Sequence, residues 1–586
     1  MSFSDLQAYL KALEAKGDLK RVKVEVDPDL EITEIAERIV KEDGPAILFE
    51  NVRGARYPLA INIMGSMRRI ETALGRHPAE LGRELIETIE KLNPPSLKNL
   101  WNSRGRLMKL MAARKKKVNG GISQEEMDRP ADLTKLPLIK CWPDDGGRFI
   151  TFPLVLTYDP LSGRSNLGTY RMQMFDAMRT GMHWQIQKGG GFHYYQAEKL
   201  GKSLEVAVAI GGDPALMLSA IMPLPEGIEE LVFSGILRGK PTRLTRGRTI
   251  SIDVPANAEF VLEGVVLPHE RRLEGPFGDH FGHYSEAAQF PVFHIQAITH
   301  RQNPIYAAAV VGKPPQEDKA MGDAVQEITR PAIRLIQPEV KDLWAYYQAG
   351  FHNFLVVAVE SRYTKEPMKS ALALLGNGQL SLTKCVVLVD SSVNVRDFKA
   401  VLREIRQYFD PKEDFLMLPK VPLDTLDFTS FKMHLGSKMV IDATRAGKAQ
   451  RNVRSGLHVD PKRLAPEIKQ WRLLEDTLLV VQLAGDAKSI ISRLVKSEAL
   501  QGVSMIAAVS PDVQIDDDTN LIWGIFTRFD PARDMVFTDM RMTDAAPVYS
   551  GVMGIDATHK NGYPAPLEMT SEIKVKVDKK WDQYWK

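Results

Sequence analysis

Two motifs near the C-terminus each occur twice, and this constrains the fold more than any other feature of the chain. YFDPKED (408–414) returns as RFDPARD (528–534), and GSKMVIDATRAG (436–447) returns as SGVMGIDATHKNG (550–562), at nearly constant offset. Solenoids need three or more stacked units to close a core, so two copies predict a duplicated α/β subdomain instead. Ahead of it, between 131 and 335, lie the β-branched runs TISIDV (249–254), EFVLEGVVL (259–267), PVFHIQAIT (291–299) and PIYAAAVVG (304–312), separated by Gly and Pro. Such runs predict a largely antiparallel barrel or sandwich. At the N-terminus Ser4 and Gln7 have capping-box spacing, Leu6, Leu10 and Leu13 follow at helical period, and Ile32, Ile35, Ala36 and Ile39 repeat that period before AILF (46–49) and LAINI (59–63). An α/β domain is predicted there. From Pro94 to Pro130 the chain turns polar and basic, with the run Ala113–Lys117, and reads as a helical linker. No aromatic is interleaved in that run, so a solvated helix end is preferred over an RNA- or lipid-binding patch. The expected division is 1–120, 121–335 and 336–586.

Composition narrows the functional classes. Seventy-seven Lys and Arg against 74 Asp and Glu leave a formal charge of +3, too small for binding driven by counterion release from nucleic acid. Two cysteines, Cys141 and Cys385, cannot build a disulfide framework or a Cys-based zinc or iron–sulfur site, and a reducing cytoplasm is expected. The N-terminal segment alternates charged and apolar residues. It therefore has neither a secretory core nor the roughly 20 apolar residues of a membrane span. Walker A, G-x-G-x-x-G, H-E-x-x-H and G-x-S-x-G patterns are absent, which removes the commonest nucleotide, zinc-peptidase and serine-hydrolase readings.

The densest group of chemically useful residues lies between 164 and 283. Asn166 and Arg171 stand five apart, which aims both at one anionic ligand if a strand leads into a turn there, and is otherwise a strand with a surface arginine. Gly189, Gly190 and Gly191 form a glycine-rich turn after an expected helix, suited to close approach to a phosphate or simply to a flexible loop. Glu226, Glu229 and Glu230 precede an apolar run, as helix-start acids or as ligands. Glu274 and Asp279 are held five apart by Gly-Pro-Phe-Gly, with His280 and His283 beyond, and acid–base work needs carboxyls placed that rigidly. The same segment is equally well read as a structural turn. The residues left by elimination describe an anion site with a hard metal ion.

NLGTYRMQ (166–173), PLPEGIEE (223–230) with SGILRGKP (234–241), EGPFGDH (274–280) and SKMVIDAT (437–444) together resemble the UbiD family of prenylated-FMN-dependent, reversible decarboxylases. The resemblance spans nearly the whole chain in order. CWPDDGGRFIT (141–151), GMHW (181–184) and the C-terminal extension are most similar to longer members grouped with menaquinone-biosynthesis decarboxylases. The resemblance implies an α+β fold, with a central split β-barrel that holds the flavin, flanked by N- and C-terminal α/β domains, the latter mediating homodimers or larger homo-oligomers. It implies Arg171, Glu274 and Asp279 as the catalytic network, with Glu274 protonating a covalent substrate–cofactor adduct after CO2 loss. Asn166, Gly168, Thr169, Arg171, Gln173, Gln187, Lys188, Glu230 and Lys438 are the implied cofactor contacts. Asn166, Gln187 and Glu230 are the implied ligands of Mn2+ or Mg2+, and a K+ would sit by Ser219, Ala220 and Met222; oxygen donors suit such hard ions.

Several positions depart from the family pattern. Gln187 stands where a histidine usually completes the metal site; His183, four residues earlier and so expected on the same helical face, and His193 are possible substitutes. Asp279 has a side chain one carbon shorter than the Glu of some members, and His283 stands where many carry an aromatic. Lys438 has Val552 as its counterpart in the second repeat. The leading expectation is a decarboxylase or carboxylase of an aromatic or α,β-unsaturated acid, including a naphthoate-type menaquinone precursor, with CO2 as the other small molecule and a flavin prenyltransferase supplying the cofactor. The competing expectation, motivated by Gln187, is a non-catalytic subunit of a multi-component carboxylase. A conventional flavin oxidoreductase is disfavoured because no dinucleotide fingerprint is present.

Overall fold

The computed structural model describes residues 3–91, 99, 105, 113–185, 189–225, 227–451, 457 and 459–586. They form two units, 1–328 with 566–586, and 329–565. The opening helix, Leu6–Ala15, buries Leu6, Leu10 and Leu13 as its period requires. Its cap is Asp5, whose Oδ1 accepts from Ala8 N at 2.9 Å, and not Ser4, which donates to Asp5 instead. A carboxylate at that place also opposes the positive end of the helix dipole, which a hydroxyl does not. Gln7 reaches Glu259 and the carbonyl of Asn303 rather than closing a capping box.

The first unit holds a four-stranded sheet in the order Leu19–Val22, Ala46–Phe49, Leu59–Ile61, Tyr306–Ala307. Its last member comes from the run at 304–312. That strand is two residues long and lies parallel to Leu59–Ile61, so it serves the N-terminal layer and not the antiparallel sheet. The antiparallel sheet has seven strands. Their order is Arg179–Gly181, Ala288–His300, Phe260–Glu274, Leu204–Ile210, Leu154–Tyr158, Ser165–Gly168, with Glu126–Asp128 beside Ala288–His300. The path does not close into a barrel among the described strands. Phe260–Glu274 is its longest strand: its first half is buried, two register shifts bend it against Ala288–His300, and its far end delivers Glu274. Of TISIDV only Asp253 and Val254 are strand, in Asp253–Pro255.

The basic run is a strand, Lys115–Lys117, parallel to Thr242–Arg246. Two of its three ammonium groups go to separate carboxylates, Lys115 to Glu229 and Lys117 to Asp253, each at 2.7 Å. The helix expected to end there is therefore replaced by an ion-paired edge strand, and the expected linker continues not as helix but as the short 3-10 turn Ile122–Gln124 and the strand Glu126–Asp128, while 94–98, 100–104 and 106–112 lie outside the described residues.

In the second unit the repeat becomes two five-stranded sheets of the same design. The first runs Val340–Ala345, Phe354–Val359, Cys385–Asp390, Gly436–Asp442, Phe415–Val421, and the second runs Gln470–Leu474, Leu478–Gln482, Met505–Val509, Ala546–Ala557, Met535–Thr543. Each has an antiparallel pair at either edge and parallel pairs between. The repeated residues do the same local work. Asp442 and Asp556 each accept from the backbone N–H two residues on, at 3.0 and 3.1 Å. Asp414 and Asp534 accept from the backbones of Asp410 and Asp530 at 3.1 and 2.8 Å. One core joins the copies, with Phe354 stacked on Phe526 at 4.1 Å between ring centroids.

Candidate active site

Glu274 ends its strand fully buried, and the backbone then turns through Gly275, whose φ of +97° is one that side-chain-bearing residues rarely adopt. The turn is braced from two directions. Gln173 Oε1 accepts from Gly275 N at 2.7 Å while its Nε2 donates to Gly146 O at 2.7 Å. Asp145 Oδ1 accepts from Gly278 N at 2.7 Å and its Oδ2 from the N–H groups of Cys141 and Trp142 at 3.0 and 2.9 Å. Burial of Asp145 pushes its pKa up to about 6, and those N–H donors limit the rise. Trp142 lies under the turn, so a Cβ on Gly278 would come within 2.1 Å of its ring. The CWPDD segment is thus the turn's footing.

Three predicted residues meet here. Arg171 extends Nε to Glu274 Oε1 at 3.4 Å, Nη1 to Asp279 Oδ2 at 2.5 Å and Nη2 to Ser285 Oγ at 2.8 Å, with its guanidinium 4.7 Å over the Phe277 ring. Asp279 also accepts from the His280 backbone and ring, both at 2.8 Å. Burial alone would raise the Asp279 carboxyl, but the His280 bonds and the Arg171 charge outweigh it and hold it well below the usual carboxylate range. His183 completes the group: Nδ1 stands 2.9 Å from Glu274 Oε1 and the ring packs on Phe290 at 4.2 Å. Burial, then the Arg171 charge, push its pKa down, which favours the neutral ring. Residues 182–185 are not helical, which removes the shared helical face with Gln187. His183 serves Glu274.

Asn166 and Glu230 lie along the same segment. Glu230 opens the helix Glu230–Arg238, and its Oε2 accepts from Leu167 N at 2.9 Å. Burial raises its pKa against that bond. Asn166 Nδ2 donates to Tyr170 OH at 3.3 Å, and a Cβ on Gly189 would lie 2.0 Å from Asn166 Oδ1. Gly189–Gly191 lie in the first turn of the described helix Gly189–Lys199, and their lack of side chains lets that turn pack against Asn166, Tyr170 and Trp184. Glu229 pairs with Lys115 and Ser165. Ser219, Ala220 and Met222 are buried where the helix Pro214–Ser219 ends, with the Ser219 and Met222 carbonyls accepting from Met222 N and Leu224 N at 3.2 and 2.9 Å. Gln187, Lys188 and Glu226 lie outside the described residues.

Other predicted residues stand elsewhere. His193 is bonded to Thr157 Oγ1 at 2.9 Å. His283 is buried, with Nδ1 3.2 Å from the Phe281 carbonyl, and it forms a β-bridge with Pro566. Lys438 belongs to the second unit, where its Nζ donates to the carbonyls of Ser381 and Thr383 at 2.8 and 2.7 Å. Sequence reasoning missed Asp145, Ser285 and the tail: Leu567 N donates to Gly282 O at 2.9 Å, and the helix Ser571–Tyr584 then anchors on Glu31 through Lys576, Lys580 and Tyr584.

Four buried polar atoms of this region have no hydrogen-bond partner among the described residues: Thr169 Oγ1, His183 Nε2, Trp184 Nε1 and Glu274 Oε2. Native proteins leave few such atoms, so their presence here fits a polar bound group such as a flavin. Asn166 Oδ1 and Glu230 supply hard oxygen donors, although no cluster of three His, Cys, Asp or Glu suited to a metal occurs among the described residues. None of the described helices is long and apolar enough to cross a membrane.

Comparison with known proteins agrees with the geometry. The profile of the 3-octaprenyl-4-hydroxybenzoate carboxy-lyase Rift-related domain, UbiD, matches residues 114–314, that of its N-terminal domain 10–89, and that of its C-terminal domain 319–443 and 466–562. A Chlamydia pneumoniae protein named as one of the subunits of 4-hydroxybenzoate decarboxylase is 35% identical over 589 residues, covering 100% of this chain and 99% of that one. The vanillic acid decarboxylase of Sedimentibacter hydroxybenzoicus, in closed form, superposes with a TM-score of 0.69 at 27% identity, over 79% of this chain and 96% of the other. The UbiD-class enzyme HmfF of Pelotomaculum thermopropionicum, in complex with FMN, gives 0.64 at 27% identity over 78% and 97%. Its evolved dimeric form, in complex with prFMN, gives 0.62 at 26% over 78% and 98%.

Proposed function

The chain belongs to the UbiD carboxy-lyase family, and on that premise we propose that it is a prenylated-FMN-dependent, reversible decarboxylase of an aromatic or α,β-unsaturated carboxylic acid. The observation that carries this reading is the Arg171–Glu274–Asp279 network, with buried Glu274 Oε2 unpartnered among the described residues. Prenylated FMN, when bound, supplies the electron sink that CO2 loss from an sp2 carbon requires. The chain supplies position, charge and a proton. Asp279, ionised, keeps the guanidinium of Arg171 beside Glu274, and Arg171 orients the substrate carboxylate. Glu274 donates the proton that replaces CO2. Asn166, Gly168, Thr169 and Glu230 are proposed to hold the flavin end, with Gln173 acting through the turn. Asn166 and Glu230 would bind Mn2+ or Mg2+, and the carbonyls near Ser219, Ala220 and Met222 a K+. We assign substrate selection to the neighbourhood of His283 and the oligomer contacts to 336–586 in the three-part division. A naphthoate-type acid is the first substrate class to screen, and the two buried, unpaired cysteines accord with a reducing cytoplasm.

The test is Glu274→Gln in protein co-produced with a flavin prenyltransferase. Turnover, read as CO2 release, is expected to vanish while the flavin spectrum stays; retained turnover would remove Glu274 from the role of acid. The Chlamydia relative, being named as one subunit among several, favours a second reading, a non-catalytic member of a multi-component carboxylase. Protein that folds but never retains flavin would support it.

A further inference from the structure

Glu274 has two oxygens in unlike settings. Oε1 faces two nitrogens, His183 Nδ1 at 2.9 Å and the Arg171 Nε donor at 3.4 Å. Oε2 has no partner among the described residues and is aimed at Gly181, where a Cβ would lie 2.1 Å from it. With the His183 N–H on Nδ1, a proton on Oε1 would confront two N–H groups, so the protonated carboxyl carries it on Oε2. Arg171 divides its guanidinium among Glu274, Asp279 and Ser285, with Glu274 at the longest of its three distances, which leaves His183 as the closer donor.

We propose that His183 is the positioning residue for Glu274: it holds Oε1, and so presents Oε2, in the space left by Gly181, as the oxygen that bears and delivers the proton. The inference rests on the decarboxylase reading and adds to it a residue, an oxygen and a tautomer. The charged and titratable groups facing His183 are Glu274, Arg171 and Asp279. A neutral ring has one N–H, and the carboxylate at Nδ1 places it there. In the step itself the Oε2–H bond breaks, the proton bonds to the carbon that lost CO2, and the electron pair stays on the carboxylate. Oε1 is then already met by the His183 and Arg171 donors. Water returns the next proton to Oε2.

His183→Phe keeps a ring against Phe290 and removes the donor; His183→Asn keeps an N–H. A lost hydrogen bond to a charged group predicts about a 10- to 100-fold fall in kcat for His183→Phe, with KM little changed. The pH profile of kcat should move upward by about one pH unit, and His183→Asn should recover most of both. A second readout uses flavin-free protein: the infrared band of the protonated carboxyl that Glu274→Gln abolishes should persist to about one pH unit higher in His183→Phe. A wild-type pH profile and a wild-type band in His183→Phe would overturn the proposal, as would lost activity with neither moved. A shifted band in protein whose wild type decarboxylates no acid would uphold the positioning role and refute the decarboxylase reading.

Discussion

Glu31→Gln tests whether the tail is held as the contacts indicate. Glu31 is almost fully buried. Its Oε1 accepts from Tyr584 OH at 2.7 Å and Lys580 Nζ at 3.2 Å, and its Oε2 meets Lys576 Nζ at 2.8 Å and accepts from Asp27 N at 3.1 Å. Glutamine keeps one acceptor oxygen and points an NH2 at donors on the other side. The lysines are about one-third exposed, so water screens them and each contributes under about 1 kcal/mol. Losing one charged acceptor for the Tyr584 or Asp27 group adds about 1.5–2 kcal/mol, for a total near 3 kcal/mol. Tail opening should then rise about 100-fold. Native-state hydrogen exchange should show that loss of protection across 571–584 and at Leu567, with the strand Phe354–Val359 unchanged. Burial raises the Glu31 carboxyl, but its bonds to Lys576, Tyr584 and the Asp27 backbone outweigh this and hold it below the ordinary range. Its contribution is therefore present above the unfolded-state value of about 4.3 and lost as pH falls through the lower folded value, a step the variant should lack. Tail protection within about threefold of wild type would refute the reasoning.

Two further substitutions test placement. Gly181→Ala puts a methyl 2.1 Å from Glu274 Oε2 on a strand paired with Val292–His294; the carboxyl must move, and kcat should fall about 100-fold with unchanged circular dichroism. Near-wild-type turnover would show that Oε2 is not required in that space. Phe526→Ala removes the ring stacked on Phe354 in the core shared by the two repeats. It should destabilise the second unit by about 3–4 kcal/mol in urea unfolding, and a loss under about 1 kcal/mol would mean the copies do not depend on that contact.

The repeat was legible because it is carried by local devices. An Asp that accepts from the backbone four residues back and an Asp bonding two residues ahead act the same way in both copies, so duplicated sequence implies duplicated sheets. Glu274 and Asp279 were legible because Gly275 and the short turn leave them little freedom. Gln173 was read as a ligand contact, yet its amide braces the turn, and side-chain destination cannot be read from spacing. His183 was offered as a substitute metal ligand on a helical period, yet residues 182–185 are not helical and the ring meets Glu274. The N-cap went to Asp5 over Ser4 because adjacent candidates differ only in charge and local geometry.

By itself the sequence determined the family, the three kinds of layer and the duplicated subdomain, and it singled out Arg171, Glu274 and Asp279, which the fold brings together. These follow from short-range patterning and from motifs whose residues stand a few positions apart. Only the tertiary structure decided which oxygen of Glu274 is left open and that His183 holds the other. It alone brought Asp145 and Gln173 to either end of the turn, and the last residues of the chain back to Gly282. Those contacts join residues tens to hundreds of positions apart, and periodicity says nothing about pairs that meet only when strands are placed side by side.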